Sequence, residues 1–104
     1  MNLIDCKDHL LIDMEKGSLK PLINTLKQPS IEERHIIINV LNTEIDHDLL
    51  VNNLLPFHFS WQKRNKSFIL VSNIRKDSIK QLISVPTLQE AVDFFQMEQL
   101  TRII

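Results

Sequence analysis

Three short apolar segments constrain the fold of this chain more than any other feature of its sequence. They are HIIINVL (35–41), SFILVSN (67–73) and LISV (82–85). Together they are rich in β-branched residues and show little alternation between apolar and polar positions. Such runs are typical of strands covered on both faces, as in parallel sheets. We therefore predict three parallel strands lying side by side.

A helical pattern fills the region between the first two segments. Its apolar positions fall on one face of a helix: Leu50, Leu54, Phe57 and Trp61. Pro56 lies inside this pattern, yet the spacing continues across it without a change of register. The sequence therefore predicts one long helix, kinked at its proline.

The ends of the chain complete the predicted α/β fold. Residues 2–6 and 9–14 flank Lys7-Asp8 as in a short hairpin. Near the other end, Thr87 and Glu90 form a capping box. The helix that follows has an apolar face expected to pack on the sheet: Leu88, Ala91, Val92 and Phe95. We predict one domain, residues 1–104, with a mostly parallel sheet of four or five strands, an N-terminal hairpin and helices on the sheet.

Composition excludes several classes of function. Gly17 is the only glycine, so Walker-type and dinucleotide-binding loops, which need several, are excluded, and we expect no cofactor. The apolar runs are too short to cross a membrane. Cys6 is the only cysteine, which fits a reducing cytoplasm. The serines lack the flanking glycines of a nucleophile elbow, so we predict that the protein is not an enzyme.

Nucleic-acid binding is also not expected. The net charge is −1. Residues 62–80 hold half of the 12 Lys and Arg residues, which could form a patch for an anionic partner. The predicted strands, however, lack the interleaved aromatic residues of an RNA-binding sheet.

The most suggestive polar group is Asp46-His47-Asp48, at the start of the long helix. One interpretation makes Asp48 a fixed negative charge that replaces a phosphate. A metal site is a second interpretation, although His9, His35 and His58 share no ligand spacing with the group. In a third, Asp46 caps the helix and Asp48 complements the positive end of its dipole.

Several large apolar residues are expected to point away from the core faces of the two helices. On the long helix they are Leu55 and Phe59; on the last helix they are Phe94, Met97, Leu100 and Ile104. Large outward apolar groups suggest a contact surface, for a homodimer or for a partner protein. Single exposed apolar residues are also normal on a protein surface, so that alternative stays open.

The element order resembles the STAS domain of anti-sigma factor antagonists. The order is hairpin, short helix, strand, long helix, strand, short helix, strand and capped helix. At residue level the resemblance is strongest in SFILVSN followed by ISVPTLQEAVDFF. It implies an α/β fold and a non-enzymatic, protein-binding role.

The resemblance also implies a phosphorylated hydroxyl in a D-S/T-x-G motif at the start of the long helix. The matching stretch here is LNTEIDHDLL (41–50). Asp46 or His47 takes the place of the leading acid, Asp48 lies near the place of the hydroxyl, and the glycine is missing. Thr43 lies several residues early, so the phosphorylation switch is not expected.

We therefore expect a protein-binding module whose partner is an anti-sigma factor or a kinase-like protein. Its contact residues would be Asp46, His47, Asp48, Leu55 and Phe59. The alternative is a small structural homodimer built on the last helix through Phe94, Met97 and Leu100.

Overall fold

A computed structural model of the protein describes residues 1–14, 19–73 and 82–103. The strands are β1 (Asn2–Asp5), β2 (His9–Asp13), β3 (His35–Asn39), β4 (Phe68–Val71) and β5 (Ile83–Val85). The helices are α1 (Leu19–Leu26), α2 (Pro29–Glu32), α3 (His47–Lys63) and α4 (Leu88–Ile103). The short helix predicted between β4 and β5 falls in 74–81, outside the described residues, as does Ile104.

The described strands form one sheet in the order β1-β2-β3-β4-β5. The three apolar segments are neighbours and run parallel, with Ile37 beside Ile69 and Ile69 beside Ile83, as predicted. β2 also runs parallel to β3, but β1 pairs with β2 in the antiparallel sense. The sheet is therefore mixed, which corrects the prediction of a mostly parallel sheet. The tight Lys7-Asp8 turn can join only antiparallel strands.

The hairpin turn is closed by local hydrogen bonds. The Cys6 N–H donates to the His9 carbonyl at 3.0 Å. Lys7 adopts a positive φ of 69°, and its N–H donates to Asp5 Oδ1 at 3.0 Å. Cys6, expected within the edge strand, lies directly after β1 and is half-buried.

The larger core lies between the sheet and the two helices α1 and α3. Its strand residues include Ile12, Ile36, Ile38, Phe68 and Leu70, and its helix residues include Leu22, Leu26, Leu50, Leu54 and Trp61. Trp61 Nε1–H also donates to the Arg34 carbonyl at 2.8 Å, which ties α3 to the residue before β3. The predicted apolar face of the long helix is confirmed.

The smaller core lies on the opposite face of the sheet, under α4. It contains Leu11, Ile37, Ile69, Val71, Ala91 and Phe95. Both faces of the central strands are thus covered, which explains why their sequences do not alternate.

The observed course of α3 and the start of α4 agree with those predicted from the sequence. α3 continues past Pro56 as one helix, as predicted. Pro29 begins α2, because proline is well tolerated in the first turn of a helix. At the start of α4, Glu90 N–H donates to Thr87 Oγ1 at 3.1 Å and the Thr87 hydroxyl donates to Glu90 Oε2 at 3.0 Å. Among the described residues, no helix is long and apolar enough to span a membrane.

Candidate functional site

The start of α3 lies beside the carboxyl ends of β3 and β4. A small cavity of about 60 Å³ opens there. It is lined by Val40, Leu41, Thr43, Ile45, His47, Leu50, Ser72 and Asn73. We call residues 41–49, which join β3 to α3 and form the first turn of α3, the carboxyl-edge surface.

Local hydrogen bonds fix the backbone of this surface. The Leu41 N–H donates to Asn39 Oδ1 at 3.1 Å, and the Thr43 hydroxyl donates to the Val40 carbonyl at 3.0 Å. Asp46 Oδ1 accepts from the Asp48 N–H at 2.9 Å. Asp46 is therefore the N-cap of α3, which confirms the capping interpretation for that residue.

The carboxyl-edge surface combines exposed apolar side chains with carboxylates. The side chains of Leu41 and Leu49 are large and apolar, and these residues are 36% and 54% exposed. The acidic residues Glu44, Asp46 and Asp48 are exposed in the same stretch, and so is His47. Sequence reasoning missed the two leucines. The signal for Leu49 was its place beside the buried Leu50, about 100° around the helix from the core face.

The group Asp46, His47 and Asp48 gains no further metal ligand from the side chains that the structure describes. Among the residues that the structure describes, no group of three or more His, Cys, Asp or Glu is arranged to hold a metal ion. The metal interpretation thus has no structural support.

The predicted contact residues further along α3 differ in exposure. Leu55 is partly buried and packs against the larger core, which corrects its expected outward position. The buried face of α3 is wider than one stripe, because the buried His58 lies on it beside Leu54. Phe59 is 41% exposed. It lies about 18 Å along the helix from His47, so it does not join the carboxyl-edge surface.

The predicted residues of α4 lie on the other face of the sheet. Met97 and Leu100 are 66% and 63% exposed, as expected. Phe94 is partly buried against the smaller core, which corrects its expected outward position. Phe94 and Met97 also line a groove of about 260 Å³ together with Glu98, Thr101 and Arg102. We call it the α4 groove.

A partly buried polar cluster at the amino ends of the strands was not foreseen. Ser67 Oγ accepts hydrogen bonds from Gln99 Nε2 and Arg102 Nη1, both at 3.1 Å. The Ser67 N–H donates to His35 Nδ1 at 2.9 Å. His9 and His35 both pack on the ring of Phe95, with centroids 5.0 and 5.1 Å apart. The cluster attaches the last turns of α4 to the sheet, and its atoms bond to one another, so we assign it a structural role.

Burial and nearby positive charges lower the pKa of His35 to about 4. Burial is the main cause, and the positive charges of Lys66 and Arg102 act in the same direction. At neutral pH the ring is uncharged, which leaves Nδ1 free to accept the Ser67 N–H.

No protein-family model matches the chain, and no curated protein matches it significantly.

Proposed function

We propose that this protein is a non-enzymatic protein-binding module whose carboxyl-edge surface contacts a protein partner. The observation that carries the proposal is the exposure of Leu41 and Leu49 among three carboxylates. Apolar anchors surrounded by polar groups are the usual anatomy of a protein interface. Glu44, Asp46 and Asp48 make this surface acidic, so the complementary partner surface is basic and apolar.

The size of the cavity favours a protein partner over a small molecule. Small-molecule sites occupy roughly 300–1,000 Å³. The cavity beside Leu41 and His47 is about 60 Å³, which is room for water-sized groups only. A partner can instead cover the cavity from outside and contact the leucines and carboxylates around it.

The resemblance to STAS domains supports the same surface. In phosphoregulated members the start of the long helix carries the phosphorylated hydroxyl that controls partner binding. Here that position holds Asp46, His47 and Asp48, so the proposed module lacks the phosphorylation switch. The proposed partner class is an anti-sigma factor or a kinase-like protein, and the proposed location is the cytoplasm. Asp48 would supply a constant negative charge.

Partner recovery from extracts of the native host tests the proposal. Leu49→Lys places a like charge against a basic partner and removes the apolar anchor, so the recovered protein should be lost. Leu88→Lys is the matched control, because Leu88 is also an exposed leucine in the first turn of a helix. Recovery should weaken as salt is raised.

Equal recovery by the two lysine variants would contradict the proposal. A further variant, Phe59→Asp, tests whether the interface extends along α3 to the exposed ring. If the partner is lost with Phe59→Asp but still recovered with Leu49→Lys, the contact lies along α3 and not on the carboxyl-edge surface.

A further inference from the structure

The last two turns of α4, residues 96–103, add none of their described side chains to the smaller core. The buried apolar residues of α4 are Ala91 and Phe95, and both precede this segment. Within the segment, Met97 and Leu100 are 66% and 63% exposed. The described side chains of these turns therefore hold them to the sheet by polar contacts and not by apolar burial. We call residues 96–103 the α4 strap.

Among the described residues, two hydrogen bonds attach the α4 strap to the rest of the protein, and both end on one atom. Ser67 Oγ accepts from Gln99 Nε2 and from Arg102 Nη1, each at 3.1 Å. The other side-chain contacts that the strap makes stay within α4. In the described part of the chain, Ser67 Oγ is thus the one hydrogen-bonded attachment of the strap.

The ring of His35 supports this attachment. Its Nδ1 accepts the Ser67 N–H at 2.9 Å. The same ring packs on Phe95, the last buried apolar residue before the strap, with centroids 5.1 Å apart. A protonated Nδ1 is a donor and cannot accept the Ser67 N–H, so two N–H groups would then face each other. Protonation of this one ring thus disturbs the residue that holds the strap.

The charges around His35 determine how its protonation acts on the strap. Lys66, just before β4, and Arg102, on the strap, are positive, and His9 on β2 adds to them when it is protonated. Asp8, in the hairpin turn, is the negative group that faces the ring. A proton on His35 therefore repels Arg102, and the repulsion decreases when the strap carries Arg102 into water.

We propose that the α4 strap is acid-sensitive: it detaches from Ser67 when His35 takes up a proton, while the rest of the fold stays closed. Detachment uncovers Ser67 and the His35 ring at the amino ends of β3 and β4. The larger core contains no residue of the strap, so it stays packed. The carboxyl-edge surface lies at the opposite ends of the strands, so this inference does not depend on partner binding.

Hydrogen exchange of the backbone amides at pH 7 and pH 5, corrected for the intrinsic exchange rate, tests the proposal. The pKa of His35 is about 4 with the strap attached, against an ordinary value of 6.5. The detached state therefore binds the proton more tightly, and its population should rise by up to roughly twentyfold from pH 7 to pH 5. The strap amides should lose protection by that factor. Urea below the unfolding transition should leave their exchange unchanged, because a local opening exposes little surface.

Histidine substitutions test the trigger. His35→Gln keeps an acceptor but cannot titrate, so the protection of the strap should not change between pH 7 and pH 5. His58→Leu is the matched control, because it removes the other described histidine whose pKa is lowered by burial. The strap of His58→Leu should respond to pH as in the unmodified chain. An equal pH response in His35→Gln and in the unmodified chain would overturn the proposal.

Ser67→Ala tests the attachment. It removes the atom that holds Gln99 and Arg102, so the strap should lose protection at pH 7 at least roughly tenfold, while β3 and β4 keep theirs. Arg102→Ala removes one of the two bonds from a residue at the surface and should give a smaller loss, confined to the strap. Thr101→Ala is the control, because its hydroxyl bonds within α4, and should cause no loss. Unchanged strap protection in both Ser67→Ala and Arg102→Ala, or a loss shared equally by β3 and β4 in both, would overturn the proposal, whatever the result of the Leu49→Lys binding assay.

Discussion

His35 Nδ1 accepts a hydrogen bond from the backbone N–H of Ser67 at 2.9 Å, which joins the first residue of β3 to the residue before β4. The next backbone bond, from the Ile36 N–H to the Ser67 carbonyl, is 2.8 Å long. The imidazole thus adds one hydrogen bond to the backbone hydrogen bonds that pair β3 with β4. It can do so only while Nδ1 carries no proton.

The stability of the protein should therefore depend on the charge of His35. Its pKa is about 4 when folded and near 6.5 in an unfolded chain. Below about pH 6.5 the unfolded chain binds the proton and the folded chain does not, so the free energy of unfolding should fall between about pH 6.5 and 4. The pKa of the buried His58 is also lowered and adds to the same trend.

The His35→Gln variant isolates this contribution. Gln offers an acceptor oxygen but no titration, so its free energy of unfolding should fall less steeply than that of the unmodified chain. Urea unfolding at pH 7 and pH 5 measures the difference. The same fall in both proteins would show that His35 is not the titrating group.

Trp61→Phe should destabilise the protein by about 1–3 kcal/mol. The substitution removes the N–H that reaches the Arg34 carbonyl at 2.8 Å and leaves that acceptor without its donor. It also removes ring volume packed on Phe68, whose centroid is 5.4 Å away. Denaturant unfolding measures the loss. Phe59→Leu, at an exposed position, should change stability by less than about 0.5 kcal/mol. Similar losses in the two variants would contradict this account.

The regular elements were predictable because their signals are local. Apolar runs, helical spacing and the Asp46 cap all depend on residues within a few positions of one another. The cluster around Ser67 was not predictable, because its partners His35 and Gln99 each lie 32 residues away along the chain. No pattern of neighbouring residues predicts that the first residues of two strands will contact the last turns of a helix.

The candidate surfaces were only partly predictable for a related reason. Helical periodicity gives the direction of a side chain but not the width of the face that packing buries. Leu55 and Phe94 lie near the borders of their core faces, and the packed neighbours of each half-bury them. Leu41 is exposed because it lies just beyond the end of β3, at the edge of the sheet. Its exposure therefore depends on the whole fold and not on the residues next to it in the sequence.

Asp46→Ala should destabilise the protein by about 1 kcal/mol, because it removes the oxygen that accepts the Asp48 N–H. Asp46→Asn keeps an acceptor at the same place and should cost much less. Asp48→Ala loses only an exposed charge in the first turn, with an expected cost of about 0.3–1 kcal/mol. Denaturant midpoints compare the three variants. A larger loss for Asp48→Ala than for Asp46→Ala would assign Asp48 a role beyond the helix dipole.

His58→Leu should leave the protein as stable as before, or more stable by about 1 kcal/mol. His58 is 1% exposed, and within the part of the chain that the structure describes its Nδ1 has no hydrogen-bond partner. A buried polar atom without a partner is unfavourable, so an apolar side chain of similar size removes a cost. His58→Ala is the control for volume and should destabilise by roughly 2–3 kcal/mol through the cavity it leaves beside Phe68. Calorimetry at neutral pH ranks the variants. A large loss for His58→Leu would mean that Nδ1 does bind a partner, such as a buried water.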